Sequence, residues 1–293
     1  MRNYPCEFYA AILSNSPMGY YPPNTICVEA RRREVGILRP CVNESEGCFK
    51  PEGKTIRVSL RQVKGMQEGT LGRILSEREK RLFESLRDFC ARVRPQKHVL
   101  QNLILAGALD SFSTNRRELL WEVDRDVAAE IQRENAPQER FAVTGPLSSL
   151  SQAESSVADF TPAERIAYEY EVLGINVSSH PMAYLRKRLD EMGIVSSRAL
   201  GEAKEGQWVK VAGYPVRPHR PPTKSGKIIV FMSLEDEFGM TDITVFENIY
   251  QKCGQVIFQD PCPQLLVRGK LNKRGNGLSV IAQEVRELRI ETR

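Results

Sequence analysis

Histidine is scarce in this chain, three residues in 293, and no run of 18 apolar residues occurs. The second absence predicts that no helix spans a bilayer. The opening Met1-Arg2-Asn3-Tyr4-Pro5 also lacks the apolar core of a secretory signal. Cys6, Cys27, Cys41, Cys48, Cys90, Cys253 and Cys262 form an odd, scattered set with no Cys-x-x-Cys pair. The nearest spacing, Cys41 to Cys48, is too wide for a zinc knuckle, so the thiols read as reduced, structural and cytoplasmic. Catalytic signatures are missing as well: there is no G-x-x-x-x-G-K-[ST], no G-x-S-x-G and no H-E-x-x-H. His180 sits before Pro181 at a helix boundary, where a structural role is the better account. Glu235-Asp236-Glu237 gathers three carboxylates, but a polar turn ahead of Phe238-Gly239 explains them better than a two-metal phosphoryl-transfer site. No catalytic residue, metal ligand or resident cofactor is assigned.

What is present is length, apolar content and an uneven charge. At 293 residues and 41% hydrophobic, the chain has room for two or three modest domains. Net charge is only +5. From Lys54 to His98, however, 12 Lys or Arg face 5 Asp or Glu, whereas from Ser113 to Tyr170 the count is 6 against 11. A local excess of this kind points to a polyanion partner. A solvated helical face is the plainer alternative.

The basic segment contains Leu60-Arg61-Gln62-Val63-Lys64-Gly65-Met66-Gln67-Glu68-Gly69-Thr70-Leu71-Gly72-Arg73-Ile74. An apolar pair at helical spacing, a glycine turn and a new helix from Gln67 or Glu68 make the layout of a helix-hairpin-helix. Such a turn leaves amide N–H groups at a helix N-terminus, where they bind phosphate oxygen without reading bases. Arg61, Lys64, Gly65, Met66, Gly69, Thr70 and Arg73 are the candidates. The same layout recurs in Val99 to Phe112, with Gly107 at the turn and Arg116 and Arg117 opening the next helix after Asn115 as cap. A glycine C-cap in a plain helical hairpin is the bland reading of either turn. Two in tandem favour a four-helix unit that grips both strands of a duplex.

Around this centre the chain changes character several times. Residues 1–52 read as the end of a larger helical domain, with helices at Cys6–Ser14 and Thr25–Glu34. Residues 53–121 hold the two hairpins, with an amphipathic helix expected over Ser76–Arg92. Residues 122–160 are acidic, then rich in Ser, Ala and Pro, as linkers are. Residues 161–206 form a helical connector, opened by the capping signature Thr161-Pro162-Ala163-Glu164. Residues 207–293 switch to period two. Strands at Trp208–Val216, Lys227–Asp236, Thr241–Phe246, Gln264–Leu271 and Leu278–Ala282, with a helix at Glu247–Cys253, follow the order of a five-stranded OB barrel. The fold class is therefore α+β: an all-helical tandem hairpin region followed by a barrel. Such barrels bind single strands by basic grooves and aromatic faces. The candidates are Arg217, His219, Arg220, Lys224 and Lys227 on the first loop, Phe231 and Phe246 on strands, and Lys273 and Arg274 in the last hairpin. Strand aromatics are more often core than platform.

Several strings resemble the C-terminal half of the bacterial DNA polymerase III alpha subunit, a C-family polymerase. They are Tyr4 to Leu13 with Pro17-Met18-Gly19-Tyr20-Tyr21, Leu60 to Gly65, Leu103 to Asp110, Leu173 to Val177 followed by His180-Pro181-Met182, and Phe231 to Gly239. The resemblance implies that residues 1–52 end a fingers domain and that the whole protein extends primers with deoxynucleoside triphosphates and two magnesium ions. The family's catalytic aspartates lie in a palm domain with no counterpart here, so this chain alone is expected to be inactive. The stop soon after the barrel resembles the error-prone subgroup. Implied partners are duplex and single-stranded DNA, the N-terminal polymerase portion and the sliding clamp. Gln138-Glu139-Arg140-Phe141, within the 137–150 stretch, is the nearest clamp-binding string, although it lacks the aliphatic residue before the aromatic. An interaction module that recruits the clamp or repair partners is the alternative function.

Overall fold

The computed structural model describes residues 4–16, 21–134, 157–224, 226–260, 262–274 and 277–290. In chain order, α1 (Pro5–Ser14) and α2 (Pro23–Arg32) precede three short strands, β1 (Gly36–Leu38), β2 (Lys50–Glu52) and β3 (Thr55–Arg57). A 3-10 turn at Leu60–Gln62 leads to α3 (Glu68–Lys80), α4 (Leu86–Val93), α5 (Lys97–Leu105), α6 (Arg116–Glu134), α7 (Pro162–Leu173) and α8 (Pro181–Glu191). Then come β4 (Trp208–His219), β5 (Ile229–Asp236), β6 (Gly239–Phe246), α9 (Glu247–Ile257), β7 (Leu265–Arg274) and β8 (Gly277–Glu287).

These elements form two compact units that do not follow chain order. One contains residues 6–15 and 37–177; the other contains residues 1–5, 16–36 and 178–293. In the helical unit, β1, β3 and β2 make a small sheet, and Ile56, Leu60, Ile74, Phe89, Leu103 and Ile104 are fully buried beneath the helices. The helix expected over Ser76–Arg92 is two helices. It breaks at Arg81, and Ser85 restarts it by accepting from the Asp88 amide at 3.1 Å. Downstream, the Thr161–Glu164 capping box forms in both directions. Gly174 then closes α7 in the left-handed conformation.

The other unit is built on a closed barrel in the order β4-β5-β6-β8-β7, with β7 pairing back onto β4. All ladders are antiparallel except β6–β8. Alternate residues of β5 and β6 point inward, where Val230, Met232, Leu234, Ile243 and Val245 are buried, and α9 adds Ile249, Cys253 and Ile257 to the core. This five-stranded arrangement, with its helix between the third and fourth strands, is OB-like, as the alternation in the sequence implies. The two polar features set aside above are structural. His180 is the N-cap of α8, its Nδ1 accepting from the Met182 amide. Asp236 closes the β5–β6 turn by accepting from the Phe238 and Gly239 amides.

Candidate nucleic-acid interface

The first glycine turn is presented to solvent. Gly65 has φ +82°, a conformation that side chains resist, and a Cβ there would come within 3.1 Å of the His98 ring. The turn is held on both sides: the Lys64 amide donates to the Val172 carbonyl at 2.8 Å, and Asn102 Nδ2 donates to the Lys64 carbonyl at 2.8 Å. Gln62 adds a bond from Nε2 to the Leu173 carbonyl at 2.6 Å. Only a 3-10 turn precedes Gly65, so the hairpin is shorter on that arm than the apolar spacing implies. The helix after it, α3, has Gln67 at its N-cap position with no side-chain cap. Its first-turn amides therefore lack a capping side chain, and they carry the positive end of the helix dipole. Lys64, Gly65 and Gly69 are exposed around this end, and Met66 is half-buried. Arg61 is exposed but paired with Glu68 at 2.9 Å. Thr70 is buried, and its hydroxyl accepts from Arg73, whose Nε also donates to the Val93 carbonyl at 2.8 Å.

The second turn is different. Gly107 again has a positive φ, +78°, but it is buried, and a Cβ there would lie 2.1 Å from Arg116 Nη2. Arg116 is 1% exposed. It clasps Asp110 through two bonds of 2.9 and 2.8 Å, reaches Glu169 at 3.2 Å and donates to the Leu105 carbonyl at 3.0 Å. Burial opposes its charge, but Asp110 and Glu169 outweigh that and hold the guanidinium above its ordinary range. Arg39 joins the cluster at 3.0 Å from Glu169. Arg117 pairs with Glu164 at 2.8 Å and lies over the Phe160 ring. Two residues expected to face DNA, Gly107 and Arg116, are thus withdrawn from solvent, because two acidic residues in the same unit consume the guanidinium.

On the barrel, a groove of about 680 Å³ opens over the outward faces of β5 and β6. Phe231 and Phe246 line it, 38% and 42% exposed, with Tyr21 at 48%. Their place follows from register. Phe246 pairs with Ile229 and Phe231 with Thr244, so all four share the outer face. The groove also takes Arg217 and His219, and the His219 ring lies 5.8 Å from that of Phe231. Arg217, at φ +44°, occupies the irregularity in the β4–β5 ladder between Val216 and His219. Ser233, Asp242, Asn272 and Ser279 supply polar groups. Arg220 turns instead to the Tyr250 hydroxyl, at 3.2 Å. Lys224 and Lys227 are exposed on the first loop, and Lys273 reaches the Gly201 carbonyl at 3.4 Å. Arg274 ends β7, and its side chain lies outside the described residues, as do Gln138–Phe141 and the rest of the 137–150 stretch. Sequence reasoning missed Tyr21, which stands far from the barrel strands in the chain. It also missed His98 and Asn102, whose only signal is proximity to the second hairpin. Among the described residues no cluster of His, Cys, Asp or Glu could hold a metal ion, and no helix is long and apolar enough to cross a membrane.

A family model described as the helix-hairpin-helix motif matches residues 34–119. The chain is 40% identical to an error-prone DNA polymerase of Symbiobacterium thermophilum, over 98% of this chain and 30% of that protein. It is 32% identical to one of Bdellovibrio bacteriovorus, over 97% and 27%, and 29% identical to one of Mycobacterium tuberculosis, over 98% and 25%. The chain therefore spans under a third of the length of these curated relatives. Among solved structures, a deletion mutant of the single-stranded DNA binding protein from Thermus aquaticus aligns with 29% of this chain and 42% of its own, at 18% identity and a TM-score of 0.25. A likeness of that size decides nothing. The long sequence matches do: the chain is homologous to the C-terminal region of the bacterial error-prone DNA polymerases.

Proposed function

We propose that this chain is the DNA-holding part of an error-prone polymerase, with the bond-making chemistry in a portion outside these 293 residues. The aromatic groove on the barrel carries the reading. Exposed Phe231, Phe246, Tyr21 and His219 offer stacking faces, and Arg217 supplies positive charge beside them. That is the chemistry by which single strands are held without sequence readout. The barrel, within residues 207–293, holds single-stranded template. The Gly65 turn, within residues 53–121, touches duplex phosphate through the first-turn amides of α3 and the exposed Lys64 ammonium. Gly107 and Arg116 brace that region from inside. Residues 1–52 continue a fingers domain, and 122–160 and 161–206 link the two DNA-holding parts. Primer extension with magnesium ions is assigned to the missing palm, and contact with a sliding clamp to the wider protein in replication or repair synthesis.

The test is DNA binding by the whole chain, read by fluorescence anisotropy. Lys64→Glu is expected to weaken duplex binding uniformly across sequences and to lower the slope of log affinity against log salt by about 1. Phe231→Ala is expected to weaken single-strand binding by about 1–3 kcal/mol while leaving duplex binding in place. Affinity that stays flat from low to moderate salt would remove the phosphate grip. Capture of clamp or repair proteins without any DNA dependence would favour an interaction module instead.

A further inference from the structure

Outside the groove, the barrel carries a second aromatic and basic surface. Trp208 opens β4 and is 49% exposed, unusually so for an indole on a strand. The Arg268 guanidinium lies 5.0 Å from its ring centre and the Lys270 ammonium 5.5 Å. In the β4–β7 ladder Trp208 pairs with Lys270 and Lys210 with Arg268, which puts all four on one outer face. Lys210, Arg268 and Lys270 are exposed. Glu284, across from Arg268 on β8, is paired with Arg286 at 3.6 Å.

This surface is continuous with the groove. On β7, Lys270 is two residues from Asn272, and the buried Leu271 between them points inward. In the β7–β8 ladder Lys270 pairs with Ile281 and Asn272 with Ser279. Asn272, Ser279 and Ile281 all line the groove. From Ile281 to Lys270 to Trp208 is two strand spacings, ~10 Å. We infer that Trp208, with Lys210, Arg268 and Lys270, is a second stacking station for single-stranded DNA, so that a strand leaving the groove crosses β7 and continues around the barrel. The inference rests on the groove reading above. Two cations over one exposed indole, with Lys210 on the same outer face, favour a polyanion that carries flat rings, and a nucleic-acid strand has both. The indole face supplies stacking and the cations meet the flanking phosphates.

The experiment compares oligodeoxythymidylates of about 4 and about 12 nucleotides, both within the range of site sizes for one such barrel. Binding to the whole chain is followed by anisotropy. Trp208→Ala is expected to weaken the long oligonucleotide about fivefold or more and to leave the short one unchanged. Trp208→Phe restores most of the loss, since a phenyl face still stacks. Arg268→Glu with Lys270→Glu flattens the salt dependence of the long oligonucleotide only. Phe231→Ala, by contrast, weakens both lengths. Should Trp208→Ala match the parent at both lengths while Phe231→Ala weakens both, the station is wrong and the groove stands. Equal loss at both lengths, with a lowered unfolding midpoint, would make Trp208 merely structural. If the parent chain binds neither oligonucleotide, groove and station fall together. Binding of a polyglutamate peptide at Trp208 in preference to the oligonucleotide would give the surface to an acidic protein partner.

Discussion

Arg116 shows how far residue type and residue role diverge. In the sequence it is a cation just after a glycine turn, in a segment that looks poised for phosphate. In the fold it is the centre of a buried cluster with Asp110, Glu169 and Arg39. Glu169 lies 53 residues away on α7, and no local pattern announces that pairing. Arg116→Ala would leave both carboxylates without their main partner. It is expected to destabilise the helical unit by about 3–5 kcal/mol, measured by denaturant unfolding. Arg116→Lys should recover part of this, since a point charge cannot reproduce the two-pronged grip on Asp110. A phosphate-binding role would instead leave stability intact and lower DNA affinity. The exposed candidates were more legible. Phe231 and Phe246 lie on the outer parity of their strands, alternating with buried Val230, Met232 and Val245, although residue type alone favours the core for a strand aromatic.

At the scale of elements, sequence signals with a local cause carried through. The Thr161 capping box, the Asn115 cap and the glycine closing α7 each depend on a few adjacent residues, and each forms. The barrel strands follow in order because period-two burial recurs along stretches of them, as in Trp208–Val211, Ile229–Met232 and Gly239–Phe246, although β4 and β5 break it with three buried residues in a row. The failure over Ser76–Arg92 has the same logic in reverse. Apolar spacing continued through Leu82 and Phe83, but Ser85 competes for the backbone and starts a new helix. The capping box at α7 also makes a pH-dependent contribution. The Thr161 amide and hydroxyl, with Arg117 nearby, hold the Glu164 carboxyl below its ordinary value of 4.5. A carboxyl that ionises more readily when folded stabilises above its unfolded value, and that contribution fades as pH falls through the folded one. Thr161→Ala is thus expected to cost about 1 kcal/mol at neutral pH. The gap between mutant and parent should narrow as pH falls below the ordinary carboxylate range, since the Glu164 half of the box is lost on protonation, while the part from the Thr161 hydroxyl accepting from the Glu164 amide persists.

Across the whole molecule, the chain passes between its two compact units more than once, at residues 5–6, 15–16, 36–37 and 177–178. Composition gave no sign of this. Tyr21 consequently lines a groove made by strands some 200 residues later in the chain, and only the folded arrangement brings it there. The thiols offer a direct readout. Cys27 is fully buried and burial pushes its thiol up to about 12, an effect that Arg31 opposes and Glu235 adds to. Cys6 is buried in the other unit and shifted the same way, whereas Cys48 is exposed. Iodoacetamide at pH about 8 is expected to alkylate Cys48 in the native state, since a thiolate must form and be reached. Cys6 and Cys27 should react only as their own units open, so mass spectrometry along a denaturant series reports the two openings separately. Early labelling of Cys27 would contradict its burial.

The return of β7 onto β4 has one last implication. A sheet that closes on itself leaves little free main-chain rim; here the β6–β8 seam is the short one, paired only over Ser279–Ile281, so any added strand would have to enter there. Away from that seam a visitor is met by side chains, and sequence drift at the barrel surface can retune the visitor without disturbing the scaffold beneath.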